Sequence, residues 1–207
     1  STTTQELTMS LNLFLSMSAF ALAASITPGP VNIVSLSAGV QYGFRSTMRH
    51  VTGATVAFTL LLLLIGLGMH ELLQAQPWLI QLIRWFGVAF LLYMAVQLAR
   101  DNGDLGGAND GHPPTYLRGA FMQWLNPKAW LASIAGMGAY AANGDTNLVL
   151  QFSAIYFVVC YASLAIWAYA GAFLRKYLTE GRYLRTFNRS MACLLAMSAA
   201  YLLYSDF

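Results

Sequence analysis

Thirty-eight consecutive positions, 7 through 44, carry no charge, and the middle of that run reads Thr27-Pro28-Gly29-Pro30-Val31-Asn32. A straight helix needs only about 20 residues, at about 1.5 Å each, to cross the hydrocarbon core of a bilayer. The run is therefore too long for one straight crossing and must bend, break or tilt steeply. Two prolines around a glycine say where: proline lacks a backbone N–H and crowds the preceding turn, and glycine accepts almost any backbone angle. Such a break strands backbone donors and acceptors at membrane depth, where protein or a water-filled cavity must meet them. It is either a packing kink or a binding centre.

Composition supports the membrane setting. Of 207 residues, 57% are hydrophobic and 9% charged, with a mean hydropathy of +0.55, against about 25% charged in soluble proteins. Ser1 to Glu6 lack the basic region of a secretory signal, so the first apolar stretch is expected to be retained. The formal net charge is only +3 and the basic residues gather at membrane edges, which gives a nucleic-acid partner no support. Cys160 and Cys193 lie inside apolar runs and are expected to be small buried hydrophobes, with no disulfide or metal role. His50, His70 and His112 fall at interfaces or in a linker, where solvated histidines are expected.

Six apolar spans follow from this patterning: 7–44, Val51 to Met69, Trp78 to Ala99, Tyr116 to Tyr140, Asn147 to Leu174 and Ser190 to Ser205. Arg84 lies near the start of the third, and its guanidinium is expected to snorkel to the interface. The expected organisation is a first three-helix unit over 1–100, a polar, glycine-rich cytoplasmic linker over 101–115, and a second three-helix unit over 116–207. Arg45, Arg49, Arg100, Arg118, Arg175, Lys176, Arg182, Arg185 and Arg189 all fall beside the loops after spans one, three and five. The positive-inside rule then makes those loops cytoplasmic and puts both termini outside.

Three spans per half is an odd number, so halves sharing one fold would be inverted in the membrane. Laid over each other, Pro28 falls on Pro127, and, Lys128 apart, the next charge follows 17 residues later in one half and 18 in the other, at Arg45 and Asp145. The expected fold is all-α: six transmembrane helices as two inverted three-helix repeats, with the first and fourth helices broken. Inverted repeats whose broken helices meet near the midplane are the usual build of secondary transporters. Small residues four apart (Gly39 and Gly43; Ala132 and Gly136; Ala192, Ala196 and Ala200) allow close helix approach and leave room for a homodimer.

The candidate site gathers at the two breaks. Pro28, Gly29 and Pro30 break the first helix, and Asn126 and Pro127 break the fourth. Asn32 follows in the first turn after the break, with Ser35 three residues on along its face. Lys128 lies ten residues past Arg118, or about 15 Å along a helix, close to mid-membrane. A lysine that deep is paired, faces a cavity, or snorkels to the edge. No Asp or Glu falls inside any span, which excludes a carboxylate proton relay and an oxygen cage for a divalent metal. Motifs of metalloprotease, serine-hydrolase or P-loop chemistry are missing, so neither an enzyme nor a cofactor is expected. A lysine, half-helix N-termini and amides favour an anionic group such as a carboxylate.

Thr27-Pro28-Gly29-Pro30-x-Asn32, then Gly43-Phe44-Arg45, then Leu125-Asn126-Pro127-Lys128-Ala129-Trp130, on six apolar runs, resemble the LysE/RhtB family of bacterial amino-acid exporters. The resemblance covers essentially the whole chain. It implies a multi-pass protein of the bacterial inner membrane that exports an amino acid or a close derivative, with the lipid bilayer and a small amino acid as partners. The Asn-Pro-Lys-Ala-Trp variant looks most like members handling small neutral amino acids, including cysteine and O-acetylserine exporters. Val31 departs from the family, many members of which carry a second asparagine there. The competing reading is a non-transporting helical membrane subunit, in which both breaks are packing kinks.

Overall fold

The computed structural model describes residues 2–100, 113–142 and 144–204, and among these there is helix and no strand. Helix α1 (Thr2–Ile26) ends at the first break and α2 (Pro30–Tyr42) leaves it at 58°. Proline begins α2, α5 (Pro77–Ala99) and α7 (Pro127–Tyr140); its fixed φ suits the first turn, where its missing N–H has no intrahelical partner to lose. Two further helices start on capping side chains. Thr115 accepts from Arg118 N at 3.1 Å to open α6 (Tyr116–Trp124), and Asp145 accepts from Asn147 N at 2.9 Å to open α8 (Thr146–Leu174).

The second span begins earlier than its apolar run. Gly43, at φ 80, turns the chain in one residue, so α3 (Phe44–Leu64) already holds Arg45 and Arg49. Gly68, at φ 132, breaks the π-helical turn that follows, before α4 (His70–Ala75). The last helix, α9 (Gly181–Tyr204), likewise starts ahead of its apolar stretch and carries Arg182, Arg185 and Arg189. Among the described residues, three helical stretches are each long and apolar enough to cross a membrane: Phe44–Gly68, Pro77–Ala99 and Thr146–Tyr177. The bent pair Ser10–Ile26 and Pro30–Tyr42 makes a fourth if taken as one span. Most of the expected linker, 101–112, lies outside the described residues.

Packing places α3 and α8 at the centre, against each other. Around them α6 packs on α3, α1 and α2 on α8, and α5 on α9. Glycines set the closest crossings: Gly39 of α2 meets Gly171 of α8, and Gly119 of α6 lies against the His50 carbonyl of α3. Gly39 and Ala192 are thus used inside the chain, Ala192 being buried with Val88 and Leu195 between α5 and α9. The main core surrounds Phe152, with Phe20, Tyr140 and Tyr156 packed on its ring.

Several side chains correct their expected settings. His50 is 2% exposed rather than solvated, because α3 has already begun and turns it toward α6; the His70 side chain and His112 lie outside what is described. Arg84 turns to the carboxyl end of α9, donating to the Leu203 carbonyl, where the helix dipole favours a cation. Both cysteines are free thiols; Cys160 is buried, whereas Cys193 is exposed on α9.

Candidate functional site

The two breaks meet. Pro28 and Gly29 lie between α1 and α2, Leu125 and Asn126 between α6 and α7, and a chamber of mixed polar and apolar lining opens between them, closed on its far side by α3 and α8. Its volume is about 30 Å³, room for two or so water molecules. Ser25, Asn32, Gln123, Asn126 and Lys128 supply its polar wall, with Tyr156 and Cys160 facing them from α8. Lys128 is the one charged side chain in the described lining.

The carboxyl end of α1 explains how an interrupted helix persists here. A helix end strands its last carbonyls, and three different side chains reach these. Asn32 Nδ2 donates to the Ser25 carbonyl at 2.8 Å, Trp167 Nε1 to Ile26 at 3.0 Å, and Lys128 Nζ to Thr27 at 2.9 Å. The ammonium also donates to Thr27 Oγ1 at 3.1 Å. Lys128 thus belongs to the first turn of α7, where a cation is disfavoured by the dipole, but puts its charge on the carboxyl end of α1, where it is favoured. The α6 break is closed similarly: Trp130 Nε1 donates to the Trp124 carbonyl at 2.7 Å, and Trp124 Nε1 to Ala57 of α3 at 2.8 Å.

The two amino ends differ. At α7, Asn126 Oδ1 accepts from Lys128 N at 3.2 Å and Asn126 Nδ2 donates to Gln123 Oε1 at 3.3 Å, so this end is capped by its own side chain. At α2 the N-cap is Gly29, which has no side chain, and Pro30 follows. The amides of Val31 and Asn32 therefore open α2 without a side-chain cap, and both residues line the chamber. An uncapped helix amino end beside an ammonium favours negative charge electrostatically.

Of the residues singled out by sequence, Asn32, Asn126 and Lys128 line the chamber. Gly29, Pro30 and Pro127 are buried and shape the backbone around it, while Pro28 is exposed. Ser35 is fully buried with its hydroxyl on the Val31 carbonyl at 2.8 Å, and it is not in the lining. Sequence reasoning missed Ser25, Gln123, Tyr156 and Cys160. Tyr156, Cys160 and Leu164 are spaced four apart on α8 and share one face, but in a helix apolar on every side that spacing did not stand out. Among the described residues no three His, Cys, Asp or Glu side chains come together as a metal site requires.

Fold and site define a helical membrane protein of the translocator class: broken helices, a small chamber of mixed lining, one buried-side cation. The family model for LysE type translocators matches residues 22–206, and the chain belongs to that family; it is a translocator and not an enzyme. It is similar to the cysteine/O-acetylserine efflux proteins of Salmonella typhimurium, at 29% identity over 189 residues, and of Escherichia coli strain K12, at 25% over 187. Each alignment covers 89% of this chain and 94% of the relative. No solved structure matches the chain.

Proposed function

We propose that this chain exports a small neutral amino acid or derivative, of the cysteine or O-acetylserine type, across the bacterial inner membrane. The observation that carries the reading is Lys128 Nζ, held between the two helix breaks beside the uncapped amino end of α2. A substrate carboxylate fits there, taking the ammonium from Thr27 and the amides of Val31 and Asn32. The described lining holds no carboxylate, so a second cationic group on the substrate would face Lys128 with nothing to balance it. A zwitterion adds no net charge.

The chamber is smaller than any amino acid, so loading requires the half-helices to part. Lys128 joins the α7 break to the α1 break through Thr27. A carboxylate that takes Lys128 loosens that link and favours the wider form, because a ligand shifts a conformational equilibrium by its differential affinity.

Six spans arranged as inverted repeats complete the reading. Exchanging α1 with α6, α2 with α7, α3 with α8 and α5 with α9 carries most of the contacts among these eight helices onto contacts that also occur, the α6–α7 contact being an exception. The contact of α3 with α6 becomes that of α8 with α1, α2 with α8 becomes α7 with α3, and α2 with α9 becomes α7 with α5; α3–α8 and α5–α9 map to themselves. Under this reading residues 1–100 and 116–207 are the two repeats, the basic loops are cytoplasmic and both termini lie outside.

Uptake of labelled cysteine or O-acetylserine into proteoliposomes, set against a panel of other amino acids, tests the assignment. Lys128→Met is expected to weaken substrate affinity roughly ten- to a hundredfold, as loss of one charged hydrogen bond does. A folded Lys128→Met protein with unchanged affinity removes Lys128 from the site. A wild-type protein that moves no amino acid favours the non-transporting subunit.

A further inference from the structure

Around the chamber, the Ser25 hydroxyl makes no hydrogen bond of ordinary geometry. Ser25 is 7% exposed and lines the chamber, and its Oγ is buried without a hydrogen bond. It lies near the Tyr156 hydroxyl and the Cys160 thiol. The neighbouring carbonyls of Ser25, Ile26 and Thr27 are taken by Asn32, Trp167 and Lys128. Three N–H donors thus converge on the end of α1, as its partial negative charge favours. The Ser25 hydroxyl, with only the Tyr156 hydroxyl and Cys160 thiol loosely beside it, can accept from a further donor there.

We infer that Ser25 Oγ, with the Tyr156 hydroxyl beside it, holds the ammonium group of the substrate. This rests on the exporter reading above and adds the second contact point. An α-amino acid carries its ammonium and carboxylate on one carbon. The carboxyl end of α1 and the amino end of α2 are correspondingly close, tied by the 2.8 Å bond from Asn32 Nδ2 to the Ser25 carbonyl. One substrate molecule therefore spans both helix ends, its ammonium on the α1 side at Ser25 and its carboxylate at the amino end of α2, drawing the Lys128 ammonium away from Thr27. With no carboxylate in the described lining, the neutral oxygens of Ser25 and Tyr156 are the acceptors for that ammonium.

Three thiols separate the contacts: L-cysteine, 3-mercaptopropionate, which lacks the amino group, and cysteamine, which lacks the carboxyl. Their inhibition constants are measured under a reductant against labelled L-cysteine on purified wild-type, Ser25→Ala, Ser25→Thr and Lys128→Met proteins. Ser25→Ala is expected to weaken cysteine and cysteamine at least tenfold and to leave 3-mercaptopropionate unchanged, which also reports an intact fold. Ser25→Thr, which keeps the hydroxyl, retains cysteine within a few fold. Lys128→Met gives the complementary pattern, losing cysteine and 3-mercaptopropionate but not cysteamine. Equal effects of Ser25→Ala on all three ligands, or none on any, overturn the assignment of Ser25 while leaving the exporter reading in place. If wild-type protein binds no L-cysteine but does bind another α-amino acid, the same comparison is run with that compound and its deaminated and decarboxylated forms. Wild-type protein that binds no amino acid overturns both.

Discussion

Lys128 lies directly across Gly29: a Cβ built on Gly29 would stand 2.9 Å from Lys128 Cδ and 3.0 Å from its Nζ. The backbone of Gly29, at φ −155°, is extended and open to any residue, so the glycine is needed for space and not for its angles. The first break thus supplies a bare surface for the side chain that arrives from the second. Gly29→Ala is expected to push Lys128 off Thr27 and weaken substrate binding while costing little stability, since the displaced atoms are the end of a flexible chain. Because both changes act through one contact, Gly29→Ala added to Lys128→Met should change affinity no further. Additive losses in binding titrations of the four proteins would show that Gly29 acts independently of the lysine.

At the helix crossings the obstacle is backbone. A Cβ on Gly171 would come within 2.0 Å of the Leu36 carbonyl oxygen, and one on Gly53 within 1.9 Å of that of Tyr116. Neither helix can yield without separating from its partner. Gly171→Ala and Gly53→Ala are each expected to cost about 3 kcal/mol or more, at or beyond the top of the usual range of about 1–3 kcal/mol for overpacking a site that can relax. Gly138→Ala is the control: nothing stands within 4 Å of its Cβ position, and within α7 alanine is the better helix former by roughly 1 kcal/mol. Thermal unfolding in detergent distinguishes these outcomes, and an undiminished melting temperature for Gly171→Ala would refute the close crossing.

The indole caps have a separable role. Trp167→Phe keeps an aromatic ring, though a smaller one, and removes the donor to the Ile26 carbonyl, and Trp130→Phe does the same at Trp124. Each leaves a carbonyl unpaired at a helix break inside the membrane, at an expected cost of about 1–3 kcal/mol. The loss should appear as a lower melting temperature. Binding in the Trp130→Phe protein should hold, since Trp130 is not part of the chamber lining.

Proline and charge carry information that sequence displays openly, which is why the breaks at Pro28 and Asn126-Pro127 could be read from it, while the direction of Lys128, toward a cavity or toward the membrane edge, could not. Faces of apolar helices are harder. The 29 residues of α8 are hydrophobic on all sides, and its inward face is set by packing on α1, α2 and α3. Tyr156 and Cys160 were consequently invisible as site residues. Ser25 precedes the break by three residues and looks like any small residue in a membrane helix. Ser35 shows the converse error: its offset from Asn32 suggested a shared polar face, but a serine hydroxyl in a helix readily bonds the carbonyl four residues back, and at Ser35 that carbonyl belongs to Val31. The early start of α3 turned on Gly43 alone, whose positive φ replaces the basic loop that the charges implied.

Cysteine labelling reads the chamber directly. Cys160 lines it at 4% exposure, within reach of the Thr55 hydroxyl, while Cys193 lies exposed on α9 and away from it. In a Cys193→Ser background, a small membrane-permeant thiol reagent should modify Cys160 slowly, and bound substrate should slow it further because the ligand occupies the space the reagent must enter. In wild-type protein Cys193 should react at a rate indifferent to substrate. The concentration of substrate giving half-maximal protection of Cys160 reports affinity at the chamber, so Lys128→Met should move that midpoint upward roughly ten- to a hundredfold, in step with the loss of one charged hydrogen bond. Mass spectrometry of the two peptides over time measures both rates in one sample. Protection of Cys193 to the same extent as Cys160 would mean that substrate acts by tightening the whole bundle and not by filling the space between the breaks.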